Sequence, residues 1–177
     1  MSIAGLGRKQ LRQAIADWFA PPHVAGLALV LPAMPKLIQG QQMWTPDVQG
    51  TGAAAYVTLA RDSQHRIAIG GATSGQKLRA YQARLVVASR TDTTGDSGVD
   101  PGVQAMDAFD DLAEQIIGRI LADRTLGGQV WQFGEGDWLF GEDIVISQPQ
   151  AVQSGEAGSV WVFGDVTWTV IDALVNT

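Results

Sequence analysis

Few residues in this chain have the types and spacing that catalysis requires. The sequence contains no cysteine and only two histidines, which excludes disulfides, thiol nucleophiles and cysteine-ligated zinc. It lacks the Gly-x-Ser-x-Gly elbow that would supply a serine nucleophile. His65 follows Asp62 and Ser63, but these residues fall in a predicted hairpin turn and cannot easily converge on one substrate atom. We therefore expect no catalytic residue and no cofactor.

One glycine-containing segment comes close to a phosphate-binding loop. Gly70 and Gly75 bracket four residues, and Lys77 follows shortly. Gln76 stands where that motif needs its lysine, and Leu78 stands where a hydroxyl would bind magnesium. The segment also continues into a predicted strand, whereas phosphate would need a helix N-terminus. Nucleotide binding is therefore a minor alternative.

Acidic residues offer a second, weaker set of ligands. Asp107 and Asp111 are four residues apart on one face of a predicted helix, where they could bind a divalent cation. A solvated acidic face is the better interpretation. The acidic segment from Asp92 to Asp100 resembles a calcium loop, but Val103 replaces its closing bidentate glutamate. An enzyme that uses this acidic face or the 70–77 loop remains an alternative.

Charged residues are divided unevenly along the chain. Residues 1–90 have a formal charge of +7, whereas residues 91–177 have a formal charge of −13. The two halves either pair within one fold or present complementary surfaces to neighbouring copies. A head-to-tail contact between copies closes into a ring when the rotation allows it. The candidate contact residues are Arg79, Arg84, Asp107 and Asp111. Charge reversal at Arg79 or Arg84 is expected to weaken assembly and leave the fold intact.

A short aromatic sequence motif occurs twice. Residues 130–134 read VWQFG and residues 160–164 read VWVFG. We expect two similar strands, each bent or bulged at its glycine. In the second strand the even-numbered apolar residues form the core face, so that Trp161 and Phe163 point to the other side. The same chain, another subunit or a stacked sugar could cover them. Trp131 and Trp44 are further candidates for a partner or sugar surface.

The predicted elements indicate the class of fold. Apolar periodicity predicts a helix over residues 8–20 and a longer helix from Pro101 to Leu126, with Asp100 as its N-cap and Leu121 in its apolar stripe. Strands are predicted over 24–31, 54–61, 65–70, 77–90, 130–133, 138–140, 144–147 and 159–171. The first strand is apolar on both faces and is expected to be central.

Together these elements predict one α+β domain over residues 1–177, with a mainly antiparallel sheet and two helices packed on one face. Mobile loops are expected near 39–52 and 91–102, where the sequence is polar and lacks periodicity. No apolar run reaches the roughly 18 residues of a membrane span, and the N-terminal sequence does not resemble a secretory signal.

This order of elements resembles the tail terminator (tail completion) proteins of long-tailed, lambda-like phages. The resemblance covers the whole chain: an N-terminal amphipathic helix, a strand, a hairpin and long strand, one long helix and closing strands. It implies a homo-oligomeric ring, expected to be a hexamer, in the tail or neck of a virion made in the host cytoplasm. One face would cap the tail tube protein and the other would dock on the head-tail connector protein. DNA would pass through the lumen without sequence-specific binding. The alternatives are another neck or head-tail joining protein, or a carbohydrate-binding module that uses exposed tryptophan.

Overall fold

The computed structural model describes six segments of the chain: residues 6–35, 52–66, 76–92, 100–134, 144–153 and 159–175. In chain order the elements are α1 (Arg8–Phe19), β1 (Leu27–Leu31), β2 (Gly52–Arg66), β3 (Gln76–Asp92), α2 (Pro101–Ala122), β4 (Gln132–Gly134), β5 (Val145–Ile146), β6 (Gln150–Gln153) and β7 (Ser159–Val175). The expected mobile loops fall mostly on residues 39–51 and 93–99, which lie outside the described residues.

One sheet organises the described part of the chain. Its strand order is β1-β2-β3-β7-β4, and the short strands β5 and β6 also pair with β7. β1 is parallel to β2, and every other pairing is antiparallel. Both helices contribute to one core on the same face of this sheet. The predicted α+β class, with a mainly antiparallel sheet and two helices on one face, is confirmed.

Two strand predictions were wrong. Asp62 to Gln64 do not form a turn, because β2 continues through them as a single strand to Arg66. A register shift between Leu59 and Arg61 lets the strand continue, and the Asp62 carboxylate accepts hydrogen bonds from Arg79 of β3. This ion pair keeps Asp62 and the polar residues after it in a strand, although such residues are typical of turns. The predicted strand residues 67–70 lie outside the described residues.

β1 is also not central. It forms one edge of the described sheet and pairs with β2 alone. Leu27 enters the core, whereas Leu29 is exposed on the opposite face. Both faces of β1 are apolar because Leu29 is left exposed on the helix-free face. β1 is not buried between two strands.

An aromatic cluster joins α1 to the sheet. The ring centroids of Phe19 and Trp168 are 5.6 Å apart, and those of Phe133 and Trp168 are 5.4 Å apart, both edge to face. All three side chains are fully buried. Edge-to-face pairs add about 0.5–1.5 kcal/mol beyond the burial of their area. The cluster fixes the C-terminal end of α1 over the place where β4 and β7 pair.

The long helix begins as predicted and ends earlier. The Asp100 carboxylate accepts a hydrogen bond from the Gly102 N–H at 2.7 Å, with Pro101 in the first turn. α2 ends at Ala122 and not at Leu126, because Asp123 accepts hydrogen bonds from Thr125 and Gly127 and closes a turn. Hydrogen bonds from the hydroxyl and then the backbone N–H of Thr125 lower the pKa of the Asp123 carboxyl group.

The two repeated glycines have different structural roles. Gly134 has φ +116° at the end of β4, a conformation that favours glycine. Gly164 lies in an unbroken ladder opposite Val87, so the predicted bulge is absent there. A Cβ on Gly164 would lie 2.8 Å from Cε2 of Phe109, so glycine is needed for the close approach of α2.

Candidate interaction surfaces

Trp161 and Phe163 lie on the helix-free face of the sheet, as their parity predicted. Val162, Val166, Trp168 and Val170 belong to the main core, and Trp161 and Phe163 do not. The two rings stack with centroids 6.1 Å apart, and the Arg90 guanidinium lies 5.9 Å from the Trp161 ring. Trp161 is only 6% exposed, so much of its surface is already covered within the monomer.

Arg84 contributes to a polar network beside this aromatic pair. Its guanidinium forms an ion pair with Asp165, which joins the basic and acidic halves of the sequence within one chain. The Thr167 hydroxyl donates to the other Asp165 oxygen at 3.2 Å, and the Asp165 N–H donates to the Ser147 hydroxyl at 2.9 Å. Burial raises the pKa of the neighbouring Tyr56. The network orders the helix-free face near β5.

Arg79 lies on the other face, at one end of the core. Its Nε donates to Asp62 at 2.8 Å, and its guanidinium carbon lies 4.8 Å from the centre of the Tyr81 ring. Arg8 of α1 reaches the same carboxylate at 3.6 Å. The hydrogen bond from Arg79 lowers the pKa of Asp62. Arg79 therefore tethers β3 to β2, and Arg8 tethers α1 to the same point.

Trp131 is the most exposed large apolar side chain of the described residues, at 57%. It comes immediately before β4, and its backbone N–H donates to the Ile171 carbonyl at 3.0 Å. Its exposed indole is a candidate anchor for a partner, because tryptophan is enriched among the residues that dominate binding energy at interfaces. Trp44 lies outside the described residues.

The acidic residues of α2 are directed to solvent. Asp107 and Asp111 are exposed, as are Asp110 and Glu114. Within the described residues no group of three or more His, Cys, Asp or Glu is placed to hold a metal ion. Leu121, expected in the apolar stripe, is 43% exposed because it lies on the flank of the helix and not over the sheet.

The structure separates the two helices by charge along the sheet. α1 packs on β1 and β2, and it carries Arg8, Lys9 and Arg12 against a single acid, Asp17. α2 packs on β3 and β7, and it carries four acids against Arg119 alone. Charge therefore changes from basic to acidic across the layer of helices. The sequence shows two charged halves, but the strand order and helix packing were needed to show that basic α1 packs on β1 and β2 and acidic α2 on β3 and β7.

An open groove of about 400 Å³ lies beside α1. Its lining consists of Leu6, Gln10, Gln13, Ala14, Asp17, Trp18 and Gln129. Three glutamines and one carboxylate do not form a cluster suited to catalysis.

In the part of the chain that is described, no helix combines the length and the hydropathy needed to cross a membrane.

Comparisons with known proteins identify no family. No protein-family model matches the chain, and no curated protein matches it significantly. One similar solved structure, of a protein without a functional description, is 17% identical over 90% of this chain and 89% of that chain, with a TM-score of 0.36. Another belongs to the virion of a native gene transfer agent (GTA) particle. It is 14% identical over 91% of this chain and 94% of that chain, with a TM-score of 0.37. TM-scores this low do not establish a common fold.

Proposed function

We propose that this chain is a virion structural protein, a phage tail terminator whose copies form a ring that caps the tail tube and joins the tail to the head connector. The observation that carries the proposal is the change of charge across the helix layer, with basic α1 packed on β1 and β2 and acidic α2 packed on β3 and β7. A subunit with opposite charges at its two ends favours head-to-tail association, and head-to-tail contacts generate rings when they close.

Trp131 supports the same proposal. Tryptophan is enriched among residues that dominate binding energy at protein interfaces, and Trp131 is exposed beside the short strand β4. A tail terminator needs surfaces for its own copies, the tail tube protein and the head-tail connector protein. The expected ring is a hexamer, through which DNA passes without sequence-specific contacts.

Analysis of purified particles tests this function. Mass spectrometry should detect the chain in virions, and antibody labelling in electron micrographs should place it at the neck. Deletion of its gene should leave tails without heads and with uncontrolled lengths. Absence of the chain from purified particles would rule the proposal out. Presence in the particle at another position would favour a different neck or head-tail joining role.

A carbohydrate-binding module is the second candidate, because an exposed indole such as Trp131 is a suitable platform for a sugar ring. Titration with a panel of glycans should then quench tryptophan fluorescence, and Trp131→Ala should abolish the response. An enzyme built on Asp107 and Asp111 would instead show a rise in Tm with Mg²⁺ or Ca²⁺, and one built on the 70–77 loop a rise with ATP. We expect none of these responses.

A further inference from the structure

We infer that two opposite edges of this subunit bind each other, head to tail, between successive copies of the chain; the inference rests on the ring proposed above and names its contact surfaces. The basic edge comprises Lys9, Arg12, Leu29 and Met34. The acidic edge comprises Val103, Asp110, Glu114, Leu121, Trp131, Val145 and Ile146.

The orientation of α2 places the acidic residues at the outer edge. Arg119 stacks on Trp18 of α1, with its guanidinium carbon 3.8 Å from the ring centre, and its Nε donates to the Trp18 carbonyl at 3.3 Å. This side of α2 therefore faces α1. At about 100° per residue, residues 103, 110, 114 and 121 lie on the other flank. That flank faces the side of the sheet where β4, β5 and β6 lie, because α2 packs on β7 and also contacts β4 and β6.

The orientation of α1 places its basic residues at the opposite edge. Trp18 occupies the flank that faces α2. Lys9 and Arg12 occupy the other flank of the same helix, by the same rotation per residue. Because α1 packs on β1 and β2, and β1 is the edge of the described sheet, this flank faces outward past β1. Lys9 is exposed and Arg12 is partly buried.

Exposed apolar side chains lie at the same two edges. The described residues leave seven large apolar side chains exposed: Leu29, Met34, Val103, Leu121, Trp131, Val145 and Ile146. Two of them lie in or just after β1, and the other five lie on the outer flank of α2, in β5 or just before β4. Exposed apolar residues on edge strands favour pairing with another chain. Leu29 and Val145 both lie on the helix-free face, since their partners Ala54 and Thr167 do.

Charge decides which edges meet. A contact between two basic edges or two acidic edges would place like charges together, which disfavours both symmetric arrangements. A contact between the basic edge of one copy and the acidic edge of the next joins opposite charges. It also places the exposed apolar residues of the two edges against each other. The occupant of each edge is therefore the other edge of a second copy.

Cysteine cross-linking tests the contact directly, because the natural chain has no cysteine. The double variant Leu29→Cys/Val145→Cys, treated with a short bis-maleimide, should give a ladder of species larger than dimers on denaturing gels. Either single variant should remain monomeric, since one cysteine meets no second cysteine in a head-to-tail contact. Gln115→Cys/Gln129→Cys is the matched control, with two exposed sites of which neither lies at the basic edge, and should give no ladder. Dimers from a single variant would overturn the inference in favour of a symmetric contact.

Charge exchange tests the electrostatic part. Lys9→Glu/Arg12→Glu and Asp110→Lys/Glu114→Lys, each in the cross-linking background, should weaken association by about tenfold at low salt. Mixing the two proteins should restore the ladder, because the first variant has two acidic edges and the second has two basic edges. A far-UV circular dichroism spectrum like that of the unmodified chain confirms that each variant is folded. Failure of the mixture to recover would overturn the electrostatic contact.

The same experiments separate this inference from the proposed function. Cross-linking is carried out on the concentrated chain and on purified particles. A ladder from a chain that is absent from virions would support the edge contact and remove the tail terminator role. A chain found at the neck that gives no ladder in either sample would support the role and remove the edge contact.

Discussion

Gly164 has ordinary strand backbone geometry, and glycine is needed there because a neighbouring side chain leaves no room for a Cβ. Phe109 of α2 packs directly over this glycine in β7. We predict that Gly164→Ala lowers the free energy of unfolding by about 1–3 kcal/mol, the usual cost of overpacking a core. Urea denaturation measures the change. Gly118→Ala in α2 is the matched control: its added Cβ meets no atom within 4 Å, so it should raise stability by up to about 1 kcal/mol.

Asp62 gives a residue-scale prediction for pH. Its pKa is lowered in the folded chain, first by the hydrogen bond from Arg79. A lowered folded pKa means that the stabilisation is present above the pKa of the unfolded carboxyl and is lost as pH falls through the folded value. Asp62→Asn should therefore reduce stability at neutral pH by about 0.2–1 kcal/mol and flatten the acid limb of a plot of Tm against pH. Asp107→Asn should leave that limb unchanged; an equal effect would contradict this assignment.

At the scale of elements, α2 depends on its first turn. Asp100 accepts from the Gly102 N–H, one of the donors that a helix start leaves unsatisfied. Asp100→Ala should destabilise the chain by about 1 kcal/mol, and Asp100→Asn, which keeps an acceptor, should restore most of that loss. Thermal unfolding followed by circular dichroism at 222 nm, where helix dominates the signal, measures both. Equal stabilities for the two variants would show that the cap is not stabilising.

Strong periodicity made some elements predictable and tertiary pairing decided others. α1, the start of α2, β3 and the face of β7 followed from the spacing of apolar residues. The turn predicted at Asp62 was wrong, because an aspartate that is typical of a turn in isolation is held in β2 by an arginine seventeen residues later. β6 was not predicted, since a four-residue strand of polar and small residues carries no period of its own.

At the scale of the whole molecule, two tryptophans of the same chain should behave in opposite ways. Trp168 is fully buried, so Trp168→Ala should cost about 3–5 kcal/mol of folding free energy. Trp131 is exposed, so Trp131→Ala should change stability by less than about 0.5 kcal/mol but weaken association of copies by about 2 kcal/mol. Chemical denaturation and analytical ultracentrifugation measure the two quantities. Loss of folding stability without loss of association in Trp131→Ala would contradict its role in assembly.

The structure also changes the choice of charges for any test of assembly. Arg79 pairs with Asp62, and Arg84 pairs with Asp165, within one chain. Reversing either arginine would set two carboxylates side by side, so these variants are expected to lose stability, and a loss of association in them would not identify a contact between copies. Lys9 and Arg12 are better positions, because reversing them acts on the outer flank of α1.

The sequence by itself determined the α+β class, the two amphipathic helices, the core face of β7 and the opposite charges of the two halves. All of these are properties of local spacing or composition. Only the tertiary structure decided that β1 is an edge, that Trp161 is largely covered while Trp131 is open, and that basic α1 packs on β1 and β2 while acidic α2 packs on β3 and β7. These facts depend on strand order and on pairings between distant residues. A local pattern does not contain them, because the free energy that selects them arises only when the strands meet.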